Sequence, residues 1–394
     1  MILRFEDCEL DTGRYEMRRG GRPVHVEPQV FDLLCLLVEH RDRVVSKDEL
    51  FEKIWAGRIV SDATLGSRIN AARKAIGDNG KDQRLIRTAP RRGFRFIGTI
   101  DGDEVAPPDS GSENALRQDI RFCLAPDGVR IAYATVGDGP PLVKAANWLN
   151  HLEYDWENVL WRPRLERLAE GRRLVRYDAR GSGLSDWEVA DISFDAFVQD
   201  LETVVDSLGL ERFALWGLSQ GCPVSVAYAT RHAERVSHLI LLGGYVRGRD
   251  RRNDPAESEK AAALRTLIRQ GWGDEHSALL PALSTMIIPG ATSEQVHALA
   301  EMQRRSATAE NAMRIREACD GIDVVSLLPR VSVPTLVLHS RYDAVAPFEQ
   351  GRLMASSIPG ARFVSLESDN HTPLPGEPAW ERFVAEVDAF LASS

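Results

Sequence analysis

The sequence predicts an α/β fold, in which a mostly parallel sheet is covered by helices and a helical lid, preceded by a smaller α+β domain. Strand-like and helical stretches alternate from residue 120 onward, which is typical of a parallel sheet with helices on both faces. An acidic stretch rich in Pro, Gly and Ser precedes this alternation and is typical of a flexible linker. We therefore predict domains at 1–100 and 119–394, with a linker at 101–118 between them.

The first hundred residues differ in charge from the rest of the chain. They hold 19 Lys and Arg against 15 Asp and Glu, whereas the remainder holds 30 against 43, and the whole chain has a net charge of −9. The excess of basic residues is largest in residues 61–95, which have nine basic and three acidic side chains. Clustered basic residues favour a polyanionic partner, although a solvated helix face would show the same pattern.

Three helical stretches are predicted in the first domain, at 30–39, 46–55 and 61–76, after short strand-like pieces at 3–10 and 22–26. In the third helix four apolar residues recur at helical spacing and share one face: Leu65, Ile69, Ala72 and Ile76. The polar residues of this helix are those that phosphates and base edges bind: Ser67, Arg68, Asn70, Arg73 and Lys74. Residues 84–97 then predict a hairpin with Arg91 and Arg92 at its tip.

The helix from Ser61 to Gly77 and the hairpin residues Ile86-Arg87-Thr88 and Arg91-Arg92-Gly93-Phe94-Arg95-Phe96 resemble the OmpR/PhoB-type winged-helix domain. In that family the third helix enters the major groove of double-stranded DNA and the wing reaches the adjacent minor groove. The resemblance implies DNA contacts by the polar helix residues and by Arg91 and Arg92. Members often follow a phosphorylated receiver domain, and here we expect the input from the downstream domain instead.

The downstream domain contains the motif Gly217-Leu218-Ser219-Gln220-Gly221 between a strand-like run and a helical run. A serine between small residues at such a turn is typical of a nucleophile elbow. Two partners of the right types follow in order, each after a predicted strand: Asp343 and His371. This order predicts a triad in which His371 is the general base for Ser219 and Asp343 orients the imidazole.

Residues 114–391 resemble the α/β-hydrolase superfamily, through the triad and the loop Tyr177-Asp178-Ala179-Arg180-Gly181-Ser182-Gly183. Members often have His-Gly after the third strand, where this chain has Ala146-Asn147. The resemblance implies that the backbone N–H groups of Trp148 and Gln220 form the oxyanion hole. The residues that follow this strand are the predicted ligand pocket: Asn147, Trp148, His151 and Trp156.

Residues 245–325 interrupt the strand pattern and predict the lid. Five of its apolar residues either line the pocket or pack the lid against the sheet: Trp272, Met286, Ile287, Ile288 and Met302. The five cysteines are scattered without metal-site spacing, so we expect reduced thiols and neither a metal nor a cofactor. No apolar run reaches the roughly 18 residues of a membrane span and no signal-peptide core is present, which predicts a cytoplasmic protein without membrane contact.

Two functions fit these predictions. The first is a one-component transcriptional regulator whose hydrolase-like domain senses a small-molecule ligand and has the triad to hydrolyse it. The alternative is an esterase-like serine hydrolase whose DNA-binding domain only targets or autoregulates it. DNA and a small molecule are the expected partners, and RNA polymerase and a second copy of the chain are further candidates.

Overall fold

The computed structural model describes residues 2–41, 44–55, 62–89, 93–98, 116–274 and 277–392, and the chain divides into two compact units, Met1–Asn114 and Ala115–Ser394. The first unit begins with a four-stranded antiparallel sheet in the order β1-β2-β3-β4. Its strands are β1 (Ile2–Phe5), β2 (Cys8–Asp11), β3 (Glu16–Arg19) and β4 (Arg22–Val24). The strand-like stretch predicted at 3–10 is therefore a hairpin, and it turns at Glu6, which has a φ of 47°.

Three helices and a second small sheet complete the first unit. They are α1 (Pro28–Glu39), β5 (Val45–Ser46), α2 (Lys47–Trp55), α3 (Asp62–Ala75), β6 (Ile86–Ala89) and β7 (Gly93–Phe96). The sheet order is β5-β7-β6, so the predicted hairpin is present. Gly93 is required where β7 passes β5, because a Cβ there would lie 2.0 Å from the Val45 carbonyl oxygen.

The apolar face predicted for α3 is buried. Its residues belong to one core with α1 and the hairpin strands, and all four are nearly inaccessible: Leu65, Ile69, Ala72 and Ile76. Gly77 follows the helix at a φ of 73°, a left-handed conformation that favours glycine after a helix. The apolar period therefore fixes which side of α3 faces the protein and which side faces solvent.

The second unit is built on an eight-stranded sheet. Its strands are β8 (Asp119–Leu124), β9 (Arg130–Val136), β10 (Pro141–Lys144), β11 (Arg173–Tyr177), β12 (Phe213–Leu218), β13 (Val236–Leu242), β14 (Thr335–Ser340) and β15 (Arg362–Leu366). The order is β15-β14-β13-β12-β10-β11-β9-β8; β9 pairs antiparallel with both β8 and β11, and the other neighbouring strands pair parallel. The mostly parallel sheet predicted from the alternation is confirmed.

Helices cover both faces of this sheet. They are α4 (Leu152–Glu157), α5 (Arg162–Ala169), α6 (Phe194–Ser207), α7 (Gly221–Arg231), α8 (Pro255–Gly271), α9 (Leu279–Ile287), α10 (Ser293–Ser306), α11 (Ala309–Asp320), α12 (Phe348–Ser357) and α13 (Pro378–Leu391). Alternate residues of β12 enter different apolar clusters, Phe213 and Leu215 on one face and Ala214 and Trp216 on the other. Helices α8 to α11 form a helical insertion between β13 and β14, in the stretch predicted as the lid. Among the described residues no helix is both long and apolar enough to span a membrane.

Candidate functional site

Ser219 lies at the sharp turn between β12 and α7. Its φ is 54°, a left-handed conformation that is strained for a serine, and its N–H donates to the Leu242 carbonyl at 2.9 Å. The flanking glycines are needed because the chain folds tightly here. A Cβ on Gly217 would lie 2.8 Å from the Cys222 Cα, and one on Gly221 would lie 3.1 Å from the Ala146 oxygen. The backbone thus holds this serine as a nucleophile elbow requires.

Asp343 and His371 meet beyond the carboxyl ends of β14 and β15. The His371 Nδ1 lies 2.6 Å from the Asp343 Oδ2, and both side chains are almost completely buried. The other carboxylate oxygen accepts the N–H groups of Val345 and Ala346 at 2.8 and 3.0 Å. Burial alone would raise the pKa of Asp343, but the neighbouring His371 and these N–H groups hold it below its usual value. The carboxylate therefore stays ionised and oriented toward the imidazole.

The opposite nitrogen of the His371 ring is available. Its Nε2 is buried and has no hydrogen-bond partner among the described residues, and both His371 and Ser219 line the same cavity. His339 is the other histidine near the aspartate, at 3.5 Å, but its Nε2 lies 2.9 Å from the Ala346 carbonyl. Burial lowers the pKa of His339, so this ring is neutral and donates to that carbonyl. His371 is thus the histidine whose free nitrogen can exchange a proton in the cavity.

The backbone N–H groups predicted for the oxyanion hole have no acceptor. In the described parts of the chain no residue accepts a hydrogen bond from the N–H of Trp148 or of Gln220. The N–H of Asn147, in contrast, donates to the Asn150 Oδ1 at 2.9 Å. The side chain of Asn147, at the position where glycine is common, accepts a hydrogen bond from the buried Lys144. Burial lowers the pKa of Lys144 to about 7. The hydrogen bonds among Lys144, Asn147 and Asn150 thus hold this loop, although it lacks the glycine that is common at this position.

A cavity of about 1100 Å³, counting its opening, contains the triad serine and histidine. Of the four predicted pocket residues, Asn147 and Trp148 line it. Three residues of the helical insertion that were predicted either to line the pocket or to pack also line it: Met286, Ile287 and Met302. The insertion also contacts the histidine loop, because the His371 N–H donates to the Ile287 carbonyl at 2.9 Å. The other two, Trp272 and Ile288, are buried and are not among the lining residues.

The pocket prediction was wrong for His151 and Trp156, which do not line the cavity. His151 caps the N-terminus of α4, where its Nδ1 accepts the Tyr154 N–H at 3.4 Å. Trp156 instead stacks against two guanidinium groups, those of Arg162 and Arg176, at 5.6 and 5.9 Å from its ring centroid. Both residues follow the oxyanion loop in sequence, but their side chains are engaged in contacts at α4 and with the two arginines and are absent from the cavity lining.

Several polar residues of the cavity were not predicted. They come mainly from the helical insertion and from the segment between β13 and α8: Tyr245, Arg249, Arg252, Gln303, Arg316 and Cys319. A signal for two of them is present in the sequence, because the basic run Arg247-Gly248-Arg249-Asp250-Arg251-Arg252 comes shortly after the carboxyl end of β13. Helices α10 and α11 carry no comparable signal, since their polar residues are distributed over several faces.

The predicted DNA-binding residues of α3 divide into three groups. Ser67, Asn70 and Lys74 are exposed on the side opposite the core. Arg68 is partly buried and pairs with Glu27 at 2.8 Å. The prediction for Arg73 was wrong, because its buried guanidinium donates to the Ile86 carbonyl and the Thr88 hydroxyl, each at 2.8 Å, and fastens α3 to β6. Arg91 and Arg92 lie outside the described residues.

Comparison with known proteins agrees with both units. Residues 154–378 match the family model described as α/β hydrolase fold, and residues 21–96 match the model described as transcriptional regulatory protein, C terminal. A pimeloyl-[acyl-carrier protein] methyl ester esterase of Nitrosomonas europaea is 28% identical over 266 residues, which is 65% of this chain and 97% of that protein. The transcriptional activator CadC of Escherichia coli is 31% identical over 117 residues, 27% of this chain and 23% of CadC.

Solved structures share the fold of the second unit. An esterase (EaEST) from Exiguobacterium antarcticum superposes with a TM-score of 0.59 at 25% identity, over 69% of this chain and 99% of that one. An enol-lactonase from Burkholderia xenovorans LB400 superposes with a TM-score of 0.56 at 24% identity, over 69% of this chain and 100% of that one. This chain therefore belongs to the α/β-hydrolase fold family and has an OmpR/PhoB-type DNA-binding domain of transcriptional regulators at its N-terminus.

Proposed function

We propose that this protein is a one-component transcriptional regulator in which a small molecule bound beside Ser219 controls DNA binding. The observation that carries the proposal is the cavity, because Ser219 and His371 both line it in a chain that also has a DNA-binding domain, and the His371 Nε2 has no hydrogen-bond partner among the described residues. A pocket with apolar walls and a few converging polar groups is typical of a small-molecule site. The ligand acts on DNA binding only as far as its affinity differs between two conformations of the chain.

The triad gives this site a hydrolytic chemistry. The Ser219 Oγ attacks the carbonyl carbon of an ester while its proton passes to the His371 Nε2, and Asp343 stabilises the resulting imidazolium. The N–H groups of Trp148 and Gln220 bind the oxyanion, and the leaving alcohol then takes the proton from the histidine. Water hydrolyses the acyl-serine by the same route and restores the free serine. A ligand that is cleaved slowly occupies the cavity long enough to act as a signal.

The exposed residues of α3 support the DNA-binding half of the proposal. Ser67, Asn70 and Lys74 project from the side of the helix that the core leaves free, and amide and ammonium groups bind base edges and phosphates. For a regulator of this kind we also propose a second copy of the chain and RNA polymerase as partners, since helix-turn-helix readers commonly bind paired half-sites.

A second function is favoured by the contact between Asp343 and His371, because such a contact orients the histidine in the way that a serine hydrolase requires. The N. europaea relative, named as a methyl ester esterase, is covered over 97% of its length. In this alternative the chain is an esterase whose DNA-binding domain only localises it or regulates its own gene. The two functions differ in one measurable property, because only the regulator changes its DNA affinity when the cavity is filled.

The DNA-binding half is tested with the full chain and duplexes selected by it from a random library. We expect Asn70→Ala and Lys74→Ala each to weaken binding by about 1 to 3 kcal/mol if the side chain contacts a base. Lys81→Ala is the matched control, because Lys81 is exposed in the same unit but lies beyond the end of α3. Unchanged affinity in both α3 variants, measured by fluorescence anisotropy at fixed salt, would show that this helix does not read DNA.

A further inference from the structure

The cavity wall contributed by the helical insertion has a concentration of positive charge. Three arginines line the cavity, Arg249, Arg252 and Arg316, whereas no Asp or Glu is among its described lining residues. Arg249 begins a 3-10 turn after β13, and Arg316 lies in the last turns of α11. The two segments are in close contact, because a Cβ on Gly248 would lie 2.3 Å from the Cys319 carbonyl oxygen.

The carboxylates near these arginines are fewer than the cationic side chains around them. Asp320 is shared between Arg265 and Arg316, at 2.9 and 2.7 Å. Glu257 is shared between Arg252 and Lys260, at 2.6 and 2.9 Å. Asp250 adds only one contact, to Arg265 at 3.0 Å. With Arg249 included, five cations therefore face three carboxylates, and the excess charge lies at the cavity.

Arg249 is the cation without a partner. Its side chain is half-buried and makes no hydrogen bond or ion pair with any described residue. Burial lowers the pKa of Arg249, and the neighbouring Arg316 lowers it further, although the group keeps its charge. A partly desolvated and unpaired guanidinium is costly unless an anion binds to it.

Two further donors at the cavity are unsatisfied. The Nε of Arg316 and the hydroxyl of Tyr245 are both buried, and neither has an oxygen or nitrogen acceptor among the residues that the structure describes; the neighbour of the Tyr245 hydroxyl is the thiol of Cys319, a weak acceptor. Buried donors normally have acceptors, so water or a ligand oxygen is the partner that such groups require. Donor groups of Arg249, Arg316 and Tyr245, from two adjacent segments, thus line the cavity without an oxygen acceptor among the described residues.

Trp148 places these donors near the reacting centre. The guanidinium carbon of Arg316 lies 5.6 Å from the centroid of the Trp148 ring, and the backbone N–H of this tryptophan is the one proposed to bind the oxyanion. The indole Nε1 is held by the Gln303 Oε1 at 3.0 Å. A single fixed side chain therefore separates Arg316 from the proposed oxyanion site.

We propose that Arg249, Arg316 and Tyr245 form a carboxylate subsite, so that the ligand is an ester that also has a free carboxylate. Guanidinium groups bind carboxylates through paired, charge-assisted hydrogen bonds, and the apolar residues that line the same cavity, such as Leu264 and Ile268, suit an aliphatic spacer. This inference deepens the proposed function and rests on it, since it assigns the chemical class of the ligand that the cavity takes.

The test is isothermal titration calorimetry on the full chain with Ser219→Ala, which does not consume esters. The probes are the monomethyl esters of glutarate, adipate and pimelate, and the matched neutral probes are their dimethyl esters. We expect at least one monoester to bind about tenfold or more tightly than its diester. Arg249→Gln in the same background should remove that preference and leave the diester affinity unchanged. Arg247→Gln is the matched control, because Arg247 is on the same segment, does not line the cavity and pairs with Asp323.

Tyr245→Phe is the second variant and should reduce the preference without changing the charge. It keeps the test independent of Arg316, whose removal would leave the buried Asp320 with fewer partners. Equal affinity for monoester and diester, absence of binding by both, or a preference that survives Arg249→Gln would overturn the subsite. Tighter binding of a phosphonate analogue would overturn the carboxylate assignment.

The outcomes distinguish this inference from the proposed function. If Ser219 reacts with an acylating or phosphonylating probe but monoesters have no advantage, the subsite is wrong and the triad proposal stands. If Ser219 does not react but the monoester preference is lost in Arg249→Gln, the subsite stands and the nucleophile proposal is wrong.

Discussion

The sheet edge and the helical insertion contribute to the same cavity in different ways. At the sheet edge the carboxylate is already paired, since both oxygens of Asp343 are occupied by His371 and by backbone N–H groups. In the helical insertion the Arg249 guanidinium and the Arg316 Nε, both at the cavity, have no hydrogen-bond partner among the described residues. The sheet edge thus fixes Asp343 and His371 through contacts within the chain, whereas the insertion holds donors that the proposed ligand would satisfy.

The largest effect is expected at the sheet edge. Ser219→Ala should abolish covalent labelling by a fluorophosphonate, because the serine oxygen that displaces fluoride is gone. Ser225→Ala is the matched control, since Ser225 is a buried serine of α7, the helix that follows Ser219, and its hydroxyl donates to the Gly221 carbonyl. Intact-mass spectrometry of the full chain measures the adduct, and equal labelling of Ser219→Ala and the unsubstituted chain would exclude Ser219 as the nucleophile.

The next effect separates the two histidines near Asp343. Asp343→Asn should slow labelling by about 10³ to 10⁴-fold, because the amide no longer fixes the tautomer of His371. His339→Gln should change the rate far less, because His339 is 3.5 Å from the carboxylate and donates to the Ala346 carbonyl. The measurement is the rate constant of labelling for each variant, taken from time courses. A larger loss in His339→Gln than in Asp343→Asn would reverse the assigned roles.

A smaller effect concerns the stability of the scaffold in acid. Burial and the positive charge of Arg305 together lower the pKa of His151 to about 4, whereas an unfolded histidine titrates near 6.5. The unfolded chain therefore binds more protons between these values, so stability falls as the pH drops from about 6.5 to 4, by up to about 3 kcal/mol. His151→Asn keeps an oxygen to cap α4 and should flatten this dependence. Urea unfolding at several pH values checks it, and an identical pH dependence in the variant would contradict it.

The sequence was sufficient for features that depend on order and period. Ser219, Asp343 and His371 could be predicted because each follows a strand, and the carboxyl ends of parallel strands meet at one edge. The buried face of α3 followed from the spacing of Leu65 and Ile69 with the apolar residues after them.

Features that depend on packing between distant segments could not be predicted. Arg73 and Lys74 are neighbours on one helix, and only the position of β6 shows that the first is buried and the second exposed. His151 follows the oxyanion loop directly, but the capping turn of α4 removes it from the cavity. The contact between Gly248 and the end of α11, which brings Arg249 to Arg316, joins segments more than sixty residues apart, which no local pattern encodes.

The most direct test of the account measures DNA affinity with the cavity filled. A fluorophosphonate bound to Ser219 occupies the cavity permanently, and fluorescence anisotropy then compares the labelled and unlabelled full chain on duplexes selected by either form. Ser219→Ala exposed to the same reagent is the control. We expect labelling to change the DNA affinity about five- to 150-fold, the usual range of allosteric coupling, and the DNA affinity of the control to stay unchanged. Stoichiometric labelling with unchanged DNA affinity would contradict the regulator and favour the esterase.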